Sequence, residues 1–461
     1  MKSKSFKGGV HPSCKKETTE SLSLVRAFPL TKTVWIPVTQ GGAPNTPLVK
    51  PGDSVALGQK IAASDAYMSV PVHASVSGTV KKIETRVVTG NVEVPCVVIE
   101  ADESGTTDFM QPLDPFTCTR EDALNRVREA GIVGMGGASF PAHVKLNPPK
   151  GSVIEYFLAN GAECEPYLTI DARIMEERAS AVMDGIAIAM HITGARKGVV
   201  VIEDNKRNLV PVLERAIADQ RSNPVGAGAY EISVQVCKTR YPQGSEKMLT
   251  KAVLGREIPS GGLPAAIGCV IQNVGTLVAI SEAFRLGKPL VERPLTISGG
   301  ACTRSGNYIV PVGTLVGDLI PDTVTLADGV AKIVSGGPLM GFAMKTAAFP
   351  VQKGTSGVLF LTKKETVLDE ESACIGCGRC VAACQCRLSP VLMDRALQAD
   401  NLDESIRCGL MDCIECGSCS WVCPSRIQLV QRFRVGKQRV CEEAKKAEER
   451  KKLKIVCKGD N

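Results

Sequence analysis

Aromatic residues are scarce, making up 4% of the 461 positions, whereas glycine occurs 44 times. That balance suits α/β and small β domains with many tight turns, and the length leaves room for about three or four of them. No run approaches the ~18 consecutive apolar residues of a membrane-spanning helix, so none is expected to cross a bilayer. The opening stretch, MKSKSFKGGVHPSCKKETTE, lacks the apolar core of a signal peptide and does not read as a transit peptide. The body of the chain also has little net charge of either sign. Residues 431–461 hold 11 Lys/Arg against 5 Asp/Glu, and so carry nearly all of the net +7. Two readings of that tail stay open: a solvated helix, EEAKKAEERKKLK, laced with i,i+4 pairs, or a surface apposed to anionic lipid or a partner. The basic stretch has almost no aromatic interleaving, so nucleic acid is not expected as a partner.

Cysteine is abundant. The spacing Cys374-x-x-Cys377-x-x-Cys380-x-x-x-Cys384 recurs as Cys413-x-x-Cys416-x-x-Cys419-x-x-x-Cys423-Pro424. A cubane cluster takes three thiolates from one tight loop and its fourth from the other run, so this doubled pattern predicts two [4Fe–4S] clusters. Cys374, Cys377, Cys380 and Cys423 form one ligand set; Cys384, Cys413, Cys416 and Cys419 form the other. Structural zinc needs only one such pair plus two further ligands and would leave this phase unused. Gln385 stands where proline normally follows the fourth cysteine, and Cys386 is a substitute for Cys384 that the spacing disfavours. Eight of the 19 cysteines are thus accounted for and the rest are scattered singly, which argues for a reducing, cytosolic setting.

Ahead of this module the pattern changes twice. Short alternating strands at Val34–Val38, Val70–Val72, Val76–Val80 and Pro95–Ile99, with dense turns between, predict a small β-sandwich like that of lipoyl carriers. No lysine sits at a presented hairpin tip, so a scaffold is expected, not a swinging arm. Thr119 with Asp122 resembles a capping box for a helix over 121–130 ended by Gly131. Next comes Gly134-Met135-Gly136-Gly137-Ala138-Ser139-Phe140-Pro141, with Lys145 behind it. Glycines let backbone N–H groups approach a phosphate and a lysine can neutralise it, although a plain turn fits this stretch equally well. Strands at 153–159 and 199–203 alternate with helices at 173–192 and 205–221, a βαβ order that predicts a parallel sheet. Asn160-Gly161-Ala162-Glu163-Cys164-Glu165-Pro166 lies at a strand's C-terminal end, where such sheets place ligands. Ribose hydroxyls would give its two carboxylates donors; a solvated loop is the alternative. A turn at Tyr241–Glu246 opens a helix running through Val253, and Asn273–Leu277 opens another. From Pro294 to Pro338 the pattern turns to short strands around Thr314–Ile320, β-grasp-like in character.

Four of these motifs, in this order, resemble the flavin- and NADH-binding subunit of respiratory complex I: Ala138-Ser139-Phe140-Pro141 with Lys145, Asn160 through Pro166, Gly244-Ser245-Glu246, and Asn273 through Leu277. Ala162 and Ser245 depart from that subunit's usual acids. Lys7-Gly8-Gly9-Val10-His11-Pro12, then Pro71-Val72-His73-Ala74 and Ser77-Gly78, extend the resemblance to the RnfC family, a component of Rnf-type ion-translocating NADH:ferredoxin oxidoreductases, to about residue 435.

That resemblance implies a multidomain α/β and α+β chain. A lipoyl-like β-sandwich (1–115) would be followed by a Rossmann-like FMN/NADH domain (116–290) and a β-grasp domain (291–362). A two-cluster ferredoxin module (363–432) and a basic tail (433–461) would complete it. FMN would lie over Gly134, Gly136, Gly137 and Ala138, with Lys145 at its phosphate and Asn160, Glu163, Asn273 and Thr276 around it. NADH would meet Phe140, Glu165 and Glu246. The implied partners are NADH, a ferredoxin-type iron–sulfur subunit and integral membrane subunits, with the chain peripheral on the cytoplasmic face of a bacterial plasma membrane. Two alternatives share the cofactors: a soluble cobalamin reductase, whose flavin domain comes first, and an electron-wire subunit with a degenerate flavin site.

Overall fold

A computed structural model of the protein describes residues 3–222, 230–366 and 370–456. Four strands, Thr33–Pro37, Ser54–Val55, Gly78–Val88 and Val92–Ala101, form one sheet of the N-terminal unit. Thr46–Pro47, Lys60–Ala63 and Val72–His73 form a second. Alternation turns Val34, Ile36, Ile61, Val72, Val80, Val97 and Ile99 inward, where all are fully buried in one cluster. This is the expected sandwich, and the tight turns have the glycines they need.

The segment ahead of Thr33 also pairs outside these two sheets. Leu24–Arg26 adds a parallel strand to Gly306–Pro311, far along the chain. Residues 4–10 form a strap across two other units. Lys4 N donates to Val236 O (3.1 Å), Val10 and Tyr241 exchange backbone hydrogen bonds (2.9 and 3.0 Å), and Gly9 N donates to Ala383 O (2.8 Å).

The helix Arg120–Glu129 is capped as expected, Thr119 accepting from Asp122 N. The central sheet then has four strands, all parallel, in the order Glu231–Cys237, Lys197–Glu203, Tyr156–Gly161, Cys269–Asn273. In chain order that is 3-2-1-4, the doubly wound arrangement whose direction of winding reverses between the first and fourth strands. The helix expected over 173–192 is two, Ile170–Glu177 and Ala179–Thr193, broken where Arg178 leaves helical geometry (φ −125°, ψ 26°). The break re-aims the second helix onto Val274–Arg285, so close that a β-carbon on Gly185 would clash with the Leu277 carbonyl oxygen. The helix expected over 205–221 begins as a 3-10 turn, Asp204–Leu209, before Val210–Ser222.

The next unit is a six-stranded sheet ordered Leu24–Arg26, Gly306–Pro311, Glu292–Ser298, Gly357–Thr362, Val330–Ser335, Phe342–Met344. Glu292–Ser298 and Gly357–Thr362 pair in parallel, and each has an antiparallel neighbour outside it. The strand expected near Thr314–Ile320 is instead a 3-10 turn, Val316–Leu319, whose Val316 and Leu319 are buried. Gly313 at φ +95° turns the chain before it, and apolar spacing alone does not separate a buried turn from a buried strand. Buried Lys353 joins three units: its backbone N donates to Gln40 Oε1 (2.9 Å), and its Nζ donates to Pro71 O (3.1 Å) and Gly131 O (2.7 Å). Burial pulls its pKa down to about 7.

The C-terminal module packs Met393, Leu410, Cys419, Cys423 and Phe433 into one small core. The tail expected from residue 433 is the continuation of a 28-residue helix, Leu429–Val456, seated by Phe433 and by Arg432, which donates to Asp394 (2.8 Å). The last part of the expected tail, 457–461, lies outside the described residues. Among the described residues no helix is long and apolar enough to cross a membrane.

Candidate functional site

Winding reverses between Tyr156–Gly161 and Cys269–Asn273, and open α/β sheets receive ligands in the crevice at that point. Asn160 and Asn273 stand there as direct register partners at the C-terminal ends of the two strands. Each braces a loop. Asn160 Nδ2 donates to Gly244 O (2.8 Å) and its Oδ1 accepts from Ala162 N (3.2 Å). Asn273 caps the helix Val274–Arg285 by accepting from Gly275 N (2.9 Å), and its Nδ2 donates to Asp171 (2.8 Å). Thr276 Oγ1 accepts from Met135 N (2.9 Å), tying the glycine loop to that same helix.

The loop itself closes through Gly134 N donating to Phe140 O (2.8 Å). Gly136, Gly137 and Ala138 are exposed at its tip. A β-carbon on Gly137 would meet nothing within 4 Å, and one on Gly136 would touch only the Asn273 side chain, at 3.6 Å. Bare backbone thus fronts an open space at the N-terminus of a 12-residue helix, an arrangement suited to a phosphate-bearing ligand. The residues present fit FMN on that ground.

The charged residues distribute otherwise than expected. Lys145 and Glu246 form an ion pair with one another, both part-buried, Glu246 opening the helix Glu246–Leu254. Glu163 is buried and faces inward: it accepts from Asp171 N (2.8 Å) and lies 3.5 and 3.9 Å from the Lys16 and Lys206 ammoniums. Its carboxylate thus ties the Asn160–Pro166 loop to Asp171 and to two buried lysines. Glu165 accepts from Leu339 N (3.0 Å) and Met340 N (2.9 Å), so its carboxylate holds a turn of the neighbouring unit. The fit is close enough that a β-carbon on Gly337 would clash with its Oε2. Burial pushes the pKa of Glu165 up to about 7 against those two bonds.

Asp171 and Arg293 escaped the sequence reading. Burial, with the charge of Glu163 behind it, pushes Asp171 up to about 7. Arg293 is 1% exposed and donates to Met135 O (2.7 Å) inside the glycine loop and to Thr355 O, while burial draws its pKa down to about 10. Their only trace in sequence is a charge placed beside a motif or inside an apolar strand.

In the C-terminal module Cys384, Cys413, Cys416 and Cys419 line one small cavity, with Cys386 on the same wall. Backbone N–H groups face the sulfurs: Leu388 N lies 3.4 Å from Cys384 and Glu415 N 3.4 Å from Cys413. Gln385 Nε2 lies 3.0 Å from Cys416 Sγ. Burial, followed by the charge of neighbouring cysteines, pushes Cys419 upward, and burial pushes Cys413 up to about 11. Burial thus favours the neutral thiols where no cation is among them, and donors aimed at sulfur are the surroundings an iron–sulfur cluster takes. No group of three or more described His, Cys, Asp or Glu residues could hold a single ion; these thiols stand around a shared volume. Of the other set, Cys380 and Cys423 pack in one core, and Cys374 and Cys377 are exposed. Burial also pushes Cys386 up, to about 12. The two sites touch: Tyr241, in the turn that carries Gly244, donates its hydroxyl to Cys416 O (2.6 Å).

Comparison with known proteins divides the chain in the same way. Residues 4–104 match the RnfC barrel sandwich hybrid domain, 127–282 the Nuo51 FMN-binding domain, and 366–424 a 4Fe-4S dicluster domain. One subunit of the proton-translocating ferredoxin:NAD(+) oxidoreductase complex of Clostridium ljungdahlii is 43% identical over 87% of this chain and 86% of its own length. Its counterpart in the Na(+)-translocating complex of Acetobacterium woodii is 40% identical over 97% and 99%. An NAD+-reducing [NiFe]-hydrogenase shares the fold, with a TM-score of 0.50 at 18% identity over 70% of this chain and 63% of its own.

Proposed function

The chain belongs to the RnfC family, whose members are subunits of ion-translocating ferredoxin:NAD(+) oxidoreductase complexes, and from that premise we propose that it passes electrons between NADH and two [4Fe–4S] clusters by way of FMN. The observation that carries the reading is the Tyr241–Cys416 hydrogen bond, which seats the flavin-domain turn directly on a cluster ligand. FMN, when bound, supplies the conversion between a two-electron hydride and one-electron exchange. The chain supplies the bare loop at Gly134, Gly136, Gly137 and Ala138, the brace of Asn160, Asn273 and Thr276, and the buried Arg293 behind Met135. Lys145, paired with Glu246, is the cation offered to a phosphate, and Phe140 offers a ring for stacking. The sheet order of the next unit, with its central parallel pair and antiparallel flanks, supports a β-grasp assignment.

The remaining members of the complex are its partners, a ferredoxin-type iron–sulfur subunit and integral membrane subunits among them. Attachment is peripheral, on the cytoplasmic face. The basic helix Leu429–Val456 supports that placement through attraction to anionic headgroups.

Anaerobically purified full-length protein, with flavin and iron counted first, is expected to lose both flavin and cluster visible absorbance on titration with NADH. Protein that holds both cofactors and stays oxidised under excess NADH would leave only the electron-wire reading.

Nicotinamide preference tests the Lys145–Glu246 pair. With Glu246 in place its charge repels a 2′-phosphate and accepts from ribose hydroxyls, so NADH is preferred to NADPH. Glu246→Gln removes the repulsion and frees the Lys145 cation, and the NADH-to-NADPH ratio of kcat/KM is expected to fall by about tenfold, the scale of one hydrogen bond to a charged group. A ratio equal to the parent's would reduce Glu246 to an acid at a helix start.

A further inference from the structure

Two cysteine runs of the same spacing end differently. Cys423 is followed by Pro424, whereas Cys384 is followed by Gln385, which is 8% exposed. Its Nε2 lies 3.0 Å from Cys416 Sγ, and its Oε1 has no hydrogen-bond partner among the described residues. A thiolate sulfur only accepts, so the amide nitrogen must be the end that faces it. An unpaired buried carbonyl costs free energy that an apolar side chain of the same size would not. The one contact that offsets this cost is the donation to sulfur.

The backbone around Gln385 is also held. Gly9 N donates to Ala383 O (2.8 Å), and a β-carbon on Gly8 would lie 2.9 Å from the Gln385 α-carbon. The amide is thus presented to Cys416 by a strap from the other end of the chain, and Ser418 Oγ lies on the same sulfur at 3.4 Å. Hydrogen bonds to cluster sulfur stabilise the reduced, more negative state and raise its potential.

We propose that Gln385 is a positioning residue that raises the reduction potential of the cluster held by Cys384, Cys413, Cys416 and Cys419, by donating its side-chain N–H to Cys416. This rests on the two-cluster reading above. Proline at the matching place in the other run supplies no such donor, so the two clusters are tuned by different means.

The test is an anaerobic redox titration of the full chain followed by EPR, on the parent, Gln385→Leu and Gln385→Pro. Leucine keeps the volume and removes the donor. Proline copies the other run, and Cys384 before it already has the extended geometry (φ −71°, ψ 109°) that precedes proline. One midpoint potential is expected to fall in both variants by about a tenfold change in the redox equilibrium, 59 mV for one electron. The other midpoint should not move. Variants with the parent's iron content and both potentials unmoved would overturn the proposal. So would loss of that cluster from both variants, because Gln385 would then serve assembly and not potential. A parent lacking iron would instead defeat the two-cluster reading itself.

Discussion

Replacing Cys416 by alanine is expected to halve the iron of the anaerobically purified protein, from about eight to about four atoms per chain. The reason is geometric. Cys384, Cys413, Cys416 and Cys419 share one cavity, while Cys374, Cys377, Cys380 and Cys423 form the other ligand set, so one deletion removes a corner of one cluster only. Cys384→Ala should behave alike, since Leu388 N already faces that sulfur. Cys386→Ala should keep both clusters. Its thiol lines the same wall but no N–H is directed at it among the described hydrogen bonds. Iron and acid-labile sulfide counts decide the matter, and a Cys386 variant more depleted than the Cys384 variant would reassign the fourth ligand.

Gly136→Val is expected to empty the flavin site and leave the fold standing. Gly136 does not adopt positive φ, so a side chain there does not strain the backbone. It would meet only Asn273 among its neighbours and otherwise project into the open space before the loop. An isopropyl group, three carbons intruding where a ligand would lie, costs about 1–3 kcal/mol, or about ten- to hundredfold in FMN affinity. Flavin absorbance per chain should fall accordingly, with the iron content unchanged. A valine variant purified with the parent's flavin would show that the cradle lies elsewhere. Gly137→Val would be a poorer probe, because Gly137 at φ +109° resists any side chain on conformational grounds alone.

The dicluster module was legible because a cubane fixes its thiolates within a few residues of one another, and that local demand is written directly as spacing. The parallel sheet was legible for a similar reason: strands buried on both faces read as apolar runs between helical periods. Chain order alone did not reveal Leu24–Arg26, three residues that find their partner strand some 280 positions away. Nor could it say which acids face a ligand. Glu163 and Glu165 sit in one motif, yet one turns inward to Lys16 and Lys206 and the other reaches a turn at Leu339. Arg293 in an apolar strand carries no pattern that distinguishes a buried brace from a solvated edge. The helix expected over 173–192 failed at Arg178, where a break in backbone geometry left the apolar period undisturbed.

The strap of residues 4–10 bears on how the chain is made. Its seats are Val236, Tyr241 and Ala383, so residues 4–10 are made well before the last of their seats. At ~5–20 residues per second, roughly 20–80 seconds separate the synthesis of Gly9 from that of Ala383. Throughout that interval Gly9 is without the Ala383 carbonyl that seats it. Closure afterwards brings Gly8 and Gly9 against the cluster module, so an insertion in residues 4–10 would be felt at Gln385.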